Sequence, residues 1–295
     1  MATMYLRRRV AFSAGHAYWY ANKTEEENRA LFGKWASPWG HGHNYIVEAT
    51  VAGEVDDRHG MVVNITDVDR VLKAHVTGPL ADKHLNYDVP HFRDTPPTLE
   101  NIARYVADRF VAHFSDPNAR LARITVWETP TLWATLLLTP STRSASSGAG
   151  EPPLITLTRS FDFAAAHRLN APGLSQEENL EIFGKCNNAR GHGHNYGVEV
   201  TVAGEPDPVT GMLVDLAALD TVLDREVMGR FDHKHLNDDT PDFADINPTS
   251  ENLTRVIWEH LDNKIPAPAR LYRVVVRETD RNYFEYYGPG ATLTL

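Results

Sequence analysis

Segments in which apolar, β-branched and aromatic residues partly alternate with polar ones recur along the chain, and this pattern predicts β-strands. The predicted strands lie at residues 6–13, 43–52, 122–128, 132–138, 155–163, 194–203, 272–278 and 283–287. The first four and the last four follow in the same order with nearly the same spacing. The pattern therefore indicates two copies of one arrangement of strands.

Two runs with helical periodicity separate the second strand of each copy from the third. The first run follows Asn64 or Asp215, residue types that cap helix N-termini. The second run starts at residues 97–100 or 248–251, where a capping Thr precedes a Glu in the first turn. A polar Glu-Glu-Asn segment after each first strand is compatible with one more short helix. We therefore predict an α+β fold in which each copy is β-β-α-α-β-β, with an antiparallel sheet and helices on one face.

The two copies are a tandem duplication. Gly-His-Gly-His-Asn-Tyr begins at Gly40 and again at Gly191, 151 residues later in a chain of 295. Residues 140–153 between the copies are rich in Ser, Gly and Pro and predict a flexible linker. The predicted domains are residues 1–139 and 154–295, and each is long enough to bury its own core.

Composition narrows the classes of function. A net charge of −10 argues against a nucleic-acid-binding surface, although it allows a phosphorylated small molecule held by a few local basic groups. No apolar run approaches the length of a membrane span, and the first residues lack the apolar region of a signal peptide, so we expect a cytoplasmic protein. Cys186 is the single cysteine, which excludes an intrachain disulfide.

Each copy contains a candidate metal site built from histidines. A His-X-His motif opens the second strand, and residues two apart on a strand point to the same face. A third histidine ends the first strand of each copy. The candidate ligands are His16, His41 and His43 in the first copy, and His167, His192 and His194 in the second.

Three histidines with an open fourth position are typical of catalytic zinc sites, and this ligand type favours zinc over copper or iron. One alternative is that the histidines only face solvent or satisfy hydrogen bonds in the core. Another makes Cys186 the fourth ligand of a closed structural site, which the first copy could not match because Trp35 stands there.

The two copies differ at three positions where the second copy has chemically reactive side chains. When the second copy is moved back by 151 residues, Cys186 falls on Trp35, Asp232 on Ala81, and His233 on Asp82. Cys, His and Asp can form a proton-transfer set, because His lowers the pKa of a thiol and Asp orients the imidazole. The alternative is that Cys186 is a small core residue and that Asp232 and His233 end a helix.

The second copy resembles the 6-pyruvoyl tetrahydropterin synthase family over nearly all of residues 155–290. The stretches that carry the resemblance are Phe163-Ala164-Ala165-Ala166-His167, Ile182-Phe183-Gly184-Lys185-Cys186-Asn187-Asn188, Gly191-His192-Gly193-His194-Asn195-Tyr196, Asp232-His233-Lys234, Pro248-Thr249-Ser250-Glu251-Asn252 and Glu278-Thr279-Asp280. The first copy is similar to the same family over residues 6–138, less closely.

The resemblance implies a fold and a set of site residues. Each copy would have the tunnelling fold (T-fold), and three such domains would close a β-barrel with sites at the domain interfaces. Zinc would bind to His167, His192 and His194, and the catalytic group would be Cys186, Asp232 and His233. Glu278 would anchor the pterin ring, with Thr249 and Glu251 in the pocket. Glu128, Thr98 and Glu100 hold the matching positions in the first copy, where a second zinc ion would bind to His16, His41 and His43.

The resemblance also implies a reaction. The substrate would be 7,8-dihydroneopterin triphosphate and the product 6-pyruvoyl tetrahydropterin, formed by a lyase of tetrahydrobiopterin biosynthesis. The redox change is internal to the substrate, so no nicotinamide is needed, and no Gly-rich dinucleotide fingerprint follows any strand. The rival within the family is 6-carboxytetrahydropterin synthase, which cleaves the side chain of the same substrate. Five residues separate Cys186 from His192, a spacing that resembles the pyruvoyl-forming enzymes.

A rival of another class is a non-catalytic protein that binds pterin or metal. For the first copy we prefer a catalytically silent domain retained for assembly, with a regulatory pterin site or a distinct reaction as alternatives. If sites form between domains, a ring of unlike copies would separate Cys186 from the Asp-His pair. We therefore expect a homo-oligomer, a trimer of chains with like copies in the same ring.

Overall fold

The computed structural model describes residues 3–138 and 152–291. Contacts divide the chain into two compact units, one of Met1–Leu157 with Gly204–Leu213 and the other of Thr158–Ala203 with Val214–Leu295. Residues 140–151 of the predicted linker lie outside the described residues. The predicted domain limits stay predictions, and the first unit includes a ten-residue segment of the second sequence repeat.

The first unit contains a mostly antiparallel sheet. Its strands are β1 (Met4–His16), β2 (His41–Gly53), β3 (Lys83–His84), β4 (Ala119–Thr129) and β5 (Leu132–Leu137). They lie in the order β5-β4-β2-β1-β3, and the two-residue β3 pairs in parallel with β1. The antiparallel sheet is thus confirmed, and the short parallel strand is an addition to the predicted order.

The helices of the first unit are α1 (Glu25–Phe32), α2 (Ile65–Leu72), α3 (Gly78–Leu80), α4 (Leu85–Asp88) and α5 (Leu99–His113). Capping side chains mark the start of the three longer ones, α1, α2 and α5. The side chain of Asn64 accepts a hydrogen bond from Thr66 N, and that of Thr98 from Asn101 N, which confirms both predicted caps. A π-helical turn, Lys73–Thr77, joins α2 to α3.

The predicted β-β-α-α-β-β order omits α1, which lies between the first two strands. This helix has eight residues and is mostly polar, so apolar periodicity gives little signal for it. A capping box fixes its start, because Thr24 and Glu27 satisfy each other's backbone N–H groups. This helix contains the polar Glu-Glu-Asn segment, which the sequence analysis found compatible with one more short helix.

The core of the first unit lies between the sheet and two helices. Helix α5 packs on β4 and β5, α2 packs on β1, and the two helices contact each other, so both cover the same face of the sheet. Ile102, Val106 and Phe110 recur at helical spacing on α5 and are fully buried. Burial of each such side chain stabilises the fold by about 1.5–3 kcal/mol.

The second unit repeats this arrangement. Its strands are β6 (Leu154–His167), β7 (His192–Gly204), β8 (Lys234–His235), β9 (Arg270–Thr279) and β10 (Asn282–Tyr286), in the order β10-β9-β7-β6-β8. Its helices are α6 (Gln176–Phe183), α7 (Leu216–Leu223), α8 (Gly229–Phe231) and α9 (Ser250–Leu261). The match extends to a β-bulge, at Thr50/Val51 in β2 and at Thr201/Val202 in β7.

Both sheets are open in the described residues, where the end strands of each order do not pair with each other. The first residues of β6 belong to the first unit, in which the Thr156 hydroxyl donates to Thr135 O at 3.4 Å. None of the described helices has the length and apolar character that a membrane crossing requires.

Candidate active site

The first histidine cluster forms where β1 ends and β2 begins. His16 lies opposite His41 in the strand register, and His43 lies two residues further along β2 on the same face. One ligand nitrogen from each of the three side chains lies within 4.8 Å of the others. The ring centroids are 4.6 Å apart for His16 and His41, and 5.1 Å apart for His16 and His43.

The second cluster has nearly the same dimensions. His167 ends β6, and His192 and His194 open β7. Their ligand nitrogens also lie within 4.8 Å of one another. The ring of His167 is 4.7 Å from that of His192 and 5.3 Å from that of His194. The structure therefore brings together both sets of three histidines that the sequence singles out.

Hydrogen bonds orient one histidine of each cluster for a metal ion. His16 Nδ1 lies 2.9 Å from Pro97 O, and His167 Nδ1 lies 2.8 Å from Pro248 O. A carbonyl oxygen only accepts, so each Nδ1 carries the proton and each Nε2 keeps its lone pair. Nε2 of His167 is buried without a hydrogen-bond partner, as is Nε2 of His194. Buried ring nitrogens without partners suit a metal ligand set, and in His167 the carbonyl group of Pro248 also fixes the orientation of the ring.

The pKa values of the histidines support the same conclusion. Burial lowers the pKa of His16 to about 3, and the hydrogen bond to Pro97 O only partly opposes this effect. Burial and the neighbouring His41 lower the pKa of His43 to about 4. Burial likewise lowers the pKa values of His167 and His192. These imidazoles are neutral at pH 7, which is the form that binds metal ions.

A carboxylate stands beside each cluster. Glu128 Oε1 is 3.5 Å from His43 Nε2, and Glu278 Oε1 is 3.9 Å from His194 Nε2. Ser250 Oγ donates to Glu278 Oε1 at 2.8 Å, and the amide of Asn282 donates to Oε2 at 3.1 Å. Burial alone would raise the pKa of Glu278, but these hydrogen bonds and the nearby histidines outweigh it and lower the pKa.

Ser250 contacts the candidate pterin-binding Glu278, and the sequence alone does not single it out. Its match in the first copy is Leu99, which has no hydroxyl to donate. The same 151-residue shift that exposed Cys186 would have revealed this difference. Thr249 and Glu251, the residues expected in the pocket, lie on either side of it: Thr249 caps α9, and Glu251 is exposed.

Asp232 and His233 form a pair on the surface of the second unit. Asp232 Oδ1 is 2.9 Å from His233 Nδ1 and accepts a hydrogen bond from Ala164 N at 3.0 Å. The bond from Ala164 N, followed by that from His233, lowers the pKa of Asp232. His233 has a positive φ of 57° and an 82% exposed side chain, and it lines one depression together with His194.

Cys186 lies apart from this pair within one chain. It belongs to the 3₁₀ turn Gly184–Asn187 and is partly exposed. Among the described residues its thiol makes no hydrogen bond to Asp232 or His233. The structure thus places His233 in one depression with His194, and Cys186 is not among the residues that line it.

In the first unit, Trp35, Thr98 and Glu100 are engaged by residues of the same unit. Trp35 belongs to an aromatic cluster around the buried Tyr18, Phe32 and Ala36, against which Trp19, Tyr20, Leu31 and Met212 also pack. Thr98 Oγ1 donates to Gly211 O at 2.8 Å, and Glu100 Oε1 accepts from Leu213 N at 2.8 Å. The pocket candidates of the first copy are therefore occupied by the segment Gly204–Leu213, which belongs to the same unit.

The fold and the two clusters define this chain as a duplicated α+β protein with two candidate metal sites of three histidines, each beside a carboxylate. Comparison with known proteins gives its family. The family model described as 6-pyruvoyl tetrahydropterin synthase matches twice, at residues 5–137 and 156–289. The chain belongs to the 6-pyruvoyl tetrahydropterin synthase family. The resemblance found in the sequence is confirmed for both copies.

Individual relatives match about half of the chain. The 6-pyruvoyl tetrahydrobiopterin synthase of Homo sapiens is 46% identical over 144 residues, which cover 49% of this chain and 99% of that protein. The 6-carboxy-5,6,7,8-tetrahydropterin synthase of Bacillus subtilis is 32% identical over 146 residues, which cover 47% of this chain and 88% of that protein. The solved structure of the Caenorhabditis elegans 6-pyruvoyl tetrahydropterin synthase is 43% identical, covers 46% of this chain and 97% of its own, and has a TM-score of 0.45.

Proposed function

We propose that this protein is a 6-pyruvoyl tetrahydropterin synthase whose second copy carries the reaction. It would convert 7,8-dihydroneopterin triphosphate to 6-pyruvoyl tetrahydropterin with release of triphosphate. The observation that carries the proposal is His233, which lines one depression with His194 and pairs with Asp232 at 2.9 Å; the first copy has Ala81 and Asp82 at these two positions. A metal-binding protein without turnover would not need this pair.

The ligand set fits Zn²⁺, since three imidazoles converge in each cluster and Zn²⁺ sites of three histidines take a further ligand. His167, His192 and His194 would hold one ion, and His16, His41 and His43 a second. A bound zinc ion would supply Lewis acidity, which makes side-chain hydroxyl groups of the substrate easier to deprotonate. The unpartnered Nε2 atoms of His167 and His194 support this assignment.

Glu278 would recognise the pterin ring. A carboxylate can accept two parallel N–H bonds, and the 2-amino group and N3–H of a pterin offer such a pair. The hydrogen bonds from Ser250 and Asn282 fix the orientation of the carboxylate and keep it ionised. Thr249 and Glu251 border this position as further pocket residues.

Proton transfer is assigned to Cys186, Asp232 and His233. Asp232 accepts the Nδ1–H of His233 and leaves Nε2 of that imidazole able to take up a proton. His233 is therefore the base of the pair, and Asp232 orients it. Cys186 would act as a second proton carrier, and its lack of a hydrogen bond to the pair fits the expectation that sites draw residues from more than one domain.

The first copy is proposed to serve assembly rather than turnover. Trp35 occupies the place of Cys186 inside an aromatic cluster, and Thr98 and Glu100 are engaged by residues 211–213. Metal binding by its three histidines is compatible with this role. A cytoplasmic location and a homo-oligomer stay predictions.

Product analysis with purified protein and 7,8-dihydroneopterin triphosphate tests the proposal. We expect 6-pyruvoyl tetrahydropterin and triphosphate, and loss of turnover in the Cys186→Ala variant. Release of acetaldehyde would instead identify a 6-carboxytetrahydropterin synthase, the activity named for the Bacillus subtilis relative. Binding of the pterin without any product, equal in wild type and Cys186→Ala, would identify a non-catalytic binding protein.

A further inference from the structure

The turn that carries Cys186 is tied to the chain just after β6 by one buried side chain. Asn187, the next residue, is only 4% exposed although its side chain is polar. Its Nδ2 donates to Leu169 O at 2.7 Å and to Asn170 Oδ1 at 3.0 Å. The backbone adds one bond, from Leu169 N to Cys186 O at 3.0 Å. The Cys186 turn is therefore held against the first residues that follow β6.

The guanidinium group of Arg168 binds the two oxygen atoms of Asn187. Nη2 of Arg168 donates to Asn187 Oδ1 at 3.1 Å, and Nε donates to Asn187 O at 3.1 Å. Gln176 Nε2 also donates to Oδ1, at 3.3 Å. Both ends of the side-chain amide and the backbone carbonyl of Asn187 thus have partners. A buried amide that makes all these bonds rigidifies the backbone that carries it.

The side chain of Cys186 contributes little to the position of its own turn. It is small and partly exposed, so it gains few packing contacts. Trp35, at the matching place in the first copy, differs because its large indole ring packs on the buried aromatic cluster. The second copy therefore requires another group to fix this turn, and Asn187 lies in the right place.

Comparison of the two copies identifies the hydrogen bonds that the fold itself requires. Arg168 N donates to Asn237 Oδ1 at 2.8 Å, and Asn237 Nδ2 donates to Arg168 O at 3.0 Å. In the first copy, Ala17 N donates to Asn86 Oδ1 at 2.8 Å, and Asn86 Nδ2 donates to Ala17 O at 2.9 Å. This pair of bonds occurs in both copies, so it serves the fold whether or not a cysteine is present.

The bonds of the Asn187 side chain belong to the second copy only. The first copy has Ala36, Ala17 and Trp19 where the second has Asn187, Arg168 and Asn170. Alanine has no polar side-chain atom, yet Ala36 still forms a β-bridge with Tyr18. The fold therefore forms this turn with alanine in place of Asn187 and Arg168. The polar network accompanies the cysteine and is missing from the copy that lacks it.

We propose that Asn187 and Arg168 are positioning residues, which hold the thiol of Cys186 in the orientation that proton transfer requires. This inference rests on the proposed function of the second copy. Asn187 is buried, so it acts through Cys186 and not by contact with the substrate. Strand β6 ends at His167, so the network also links the Cys186 turn to the proposed zinc site.

Steady-state kinetics of the full chain with 7,8-dihydroneopterin triphosphate tests the proposal. Asn187→Ala should fold, because Ala36 occupies this place in the first copy. It should lower kcat about ten- to a hundredfold, the size expected when a reacting group is displaced by a fraction of its own length. KM should stay within about twofold of wild type, because Glu278 and the histidine cluster are unchanged. An unchanged kcat, or a loss that appears in KM alone, would overturn the proposal.

The matched control removes a buried asparagine from the first copy. Asn28 is fully buried, and its side-chain amide bonds to backbone atoms of Tyr20, Lys23 and Thr24. Asn28→Ala should therefore lower the stability of its own unit, yet leave kcat within about twofold of wild type. Equal losses of kcat in Asn28→Ala and Asn187→Ala would assign the effect to general destabilisation and contradict a positioning role.

A double-mutant cycle tests whether the two residues act as one group. Arg168→Ala should lower kcat by a factor similar to that of Asn187→Ala, and the double variant should lose little more, since either change frees the turn. Arg168→Lys keeps the charge but not the fork that binds both oxygen atoms of Asn187, so it should behave like Arg168→Ala. Losses that multiply in the double variant, or full activity of Arg168→Lys, would contradict the network.

Hydrogen exchange tests the same inference without substrate. Leu169 N donates to Cys186 O, so exchange of this amide hydrogen reports whether the turn stays in place. Exchange should become about tenfold faster or more in Asn187→Ala and Arg168→Ala, and stay as in wild type in Asn28→Ala. Unchanged exchange in Asn187→Ala would overturn the proposal. A wild type without turnover would instead contradict the proposed function, because exchange at Leu169 does not depend on the reaction.

Discussion

The two histidine clusters have almost the same geometry, but their surroundings differ. Centroid distances between matching rings agree within 0.2 Å: 4.6 and 4.7 Å for the first pair, 5.1 and 5.3 Å for the second. Around the first cluster Trp35 fills an aromatic core and a glycine turn covers the helix cap. Around the second, Cys186 is partly exposed and the side chain of His233 is 82% exposed. The backbone therefore sets the geometry of both histidine clusters, and the two copies differ in the side chains around them.

The largest expected effect comes from exchanging His233, the proposed base of the second copy. His233 and its match Asp82 both have a positive φ, 57° and 58°, so Asn is tolerated equally at either position. His233→Asn should lower kcat about 10²- to 10⁴-fold, the usual size for loss of a general acid–base group. Steady-state assays with 7,8-dihydroneopterin triphosphate measure this effect.

Asp82→Asn is the matched control and should leave kcat within about twofold of wild type, since no imidazole is removed. Its side chain accepts from Ser13 Oγ at 2.7 Å, and an amide oxygen can keep that bond. Equal losses of kcat in both variants would mean that both copies take part in the reaction. Full activity of His233→Asn would remove the Asp-His pair from the mechanism.

The next largest effect is expected in the zinc content of variants that lack one histidine of either cluster. His41→Ala and His192→Ala each remove a partly accessible ligand, so the fold should tolerate both changes. We expect wild type to bind about two zinc ions per chain and each variant about one. Activity should vanish only in His192→Ala. Elemental analysis after dialysis against zinc gives the content, and two ions retained by either variant would exclude that cluster as a site.

Some of these features could be predicted from the sequence, and others could not. His-X-His on a strand determines the direction of two side chains, so the clusters at His41 and His192 could be predicted from spacing alone. Residues at the capped helix starts, Asn64 and Thr98, were predictable because the signal is local. Helix α1 was not, since a capping box rather than an apolar stripe defines it. The docking of residues 207–213 on α5 joins segments 113 residues apart, and no local pattern encodes it.

A smaller effect should follow from loss of the Ser250 hydroxyl. Ser250 orients Glu278, whereas Leu99 at the matching place in the first copy cannot. Ser250→Ala should raise KM about three- to tenfold with little change in kcat, since one hydrogen bond to a charged group is lost. Ser250→Thr keeps the hydroxyl and should restore most of the affinity. A KM that does not change in Ser250→Ala would show that Glu278 needs no such support.

The smallest effect concerns Glu100, which is buried in the first copy while Glu251 is exposed in the second. Burial raises the pKa of Glu100 above its ordinary value of 4.5, so the folded state holds this proton more tightly than the unfolded state. Its contribution to the free energy of unfolding is complete below pH 4.5 and is lost as the pH rises through the raised folded pKa. Glu100→Gln removes this dependence, so the variant should gain stability relative to wild type with rising pH, by about 1 kcal/mol. Urea unfolding across this pH range measures the difference. A difference between Glu100→Gln and wild type that stays constant across this pH range would contradict the raised pKa of Glu100.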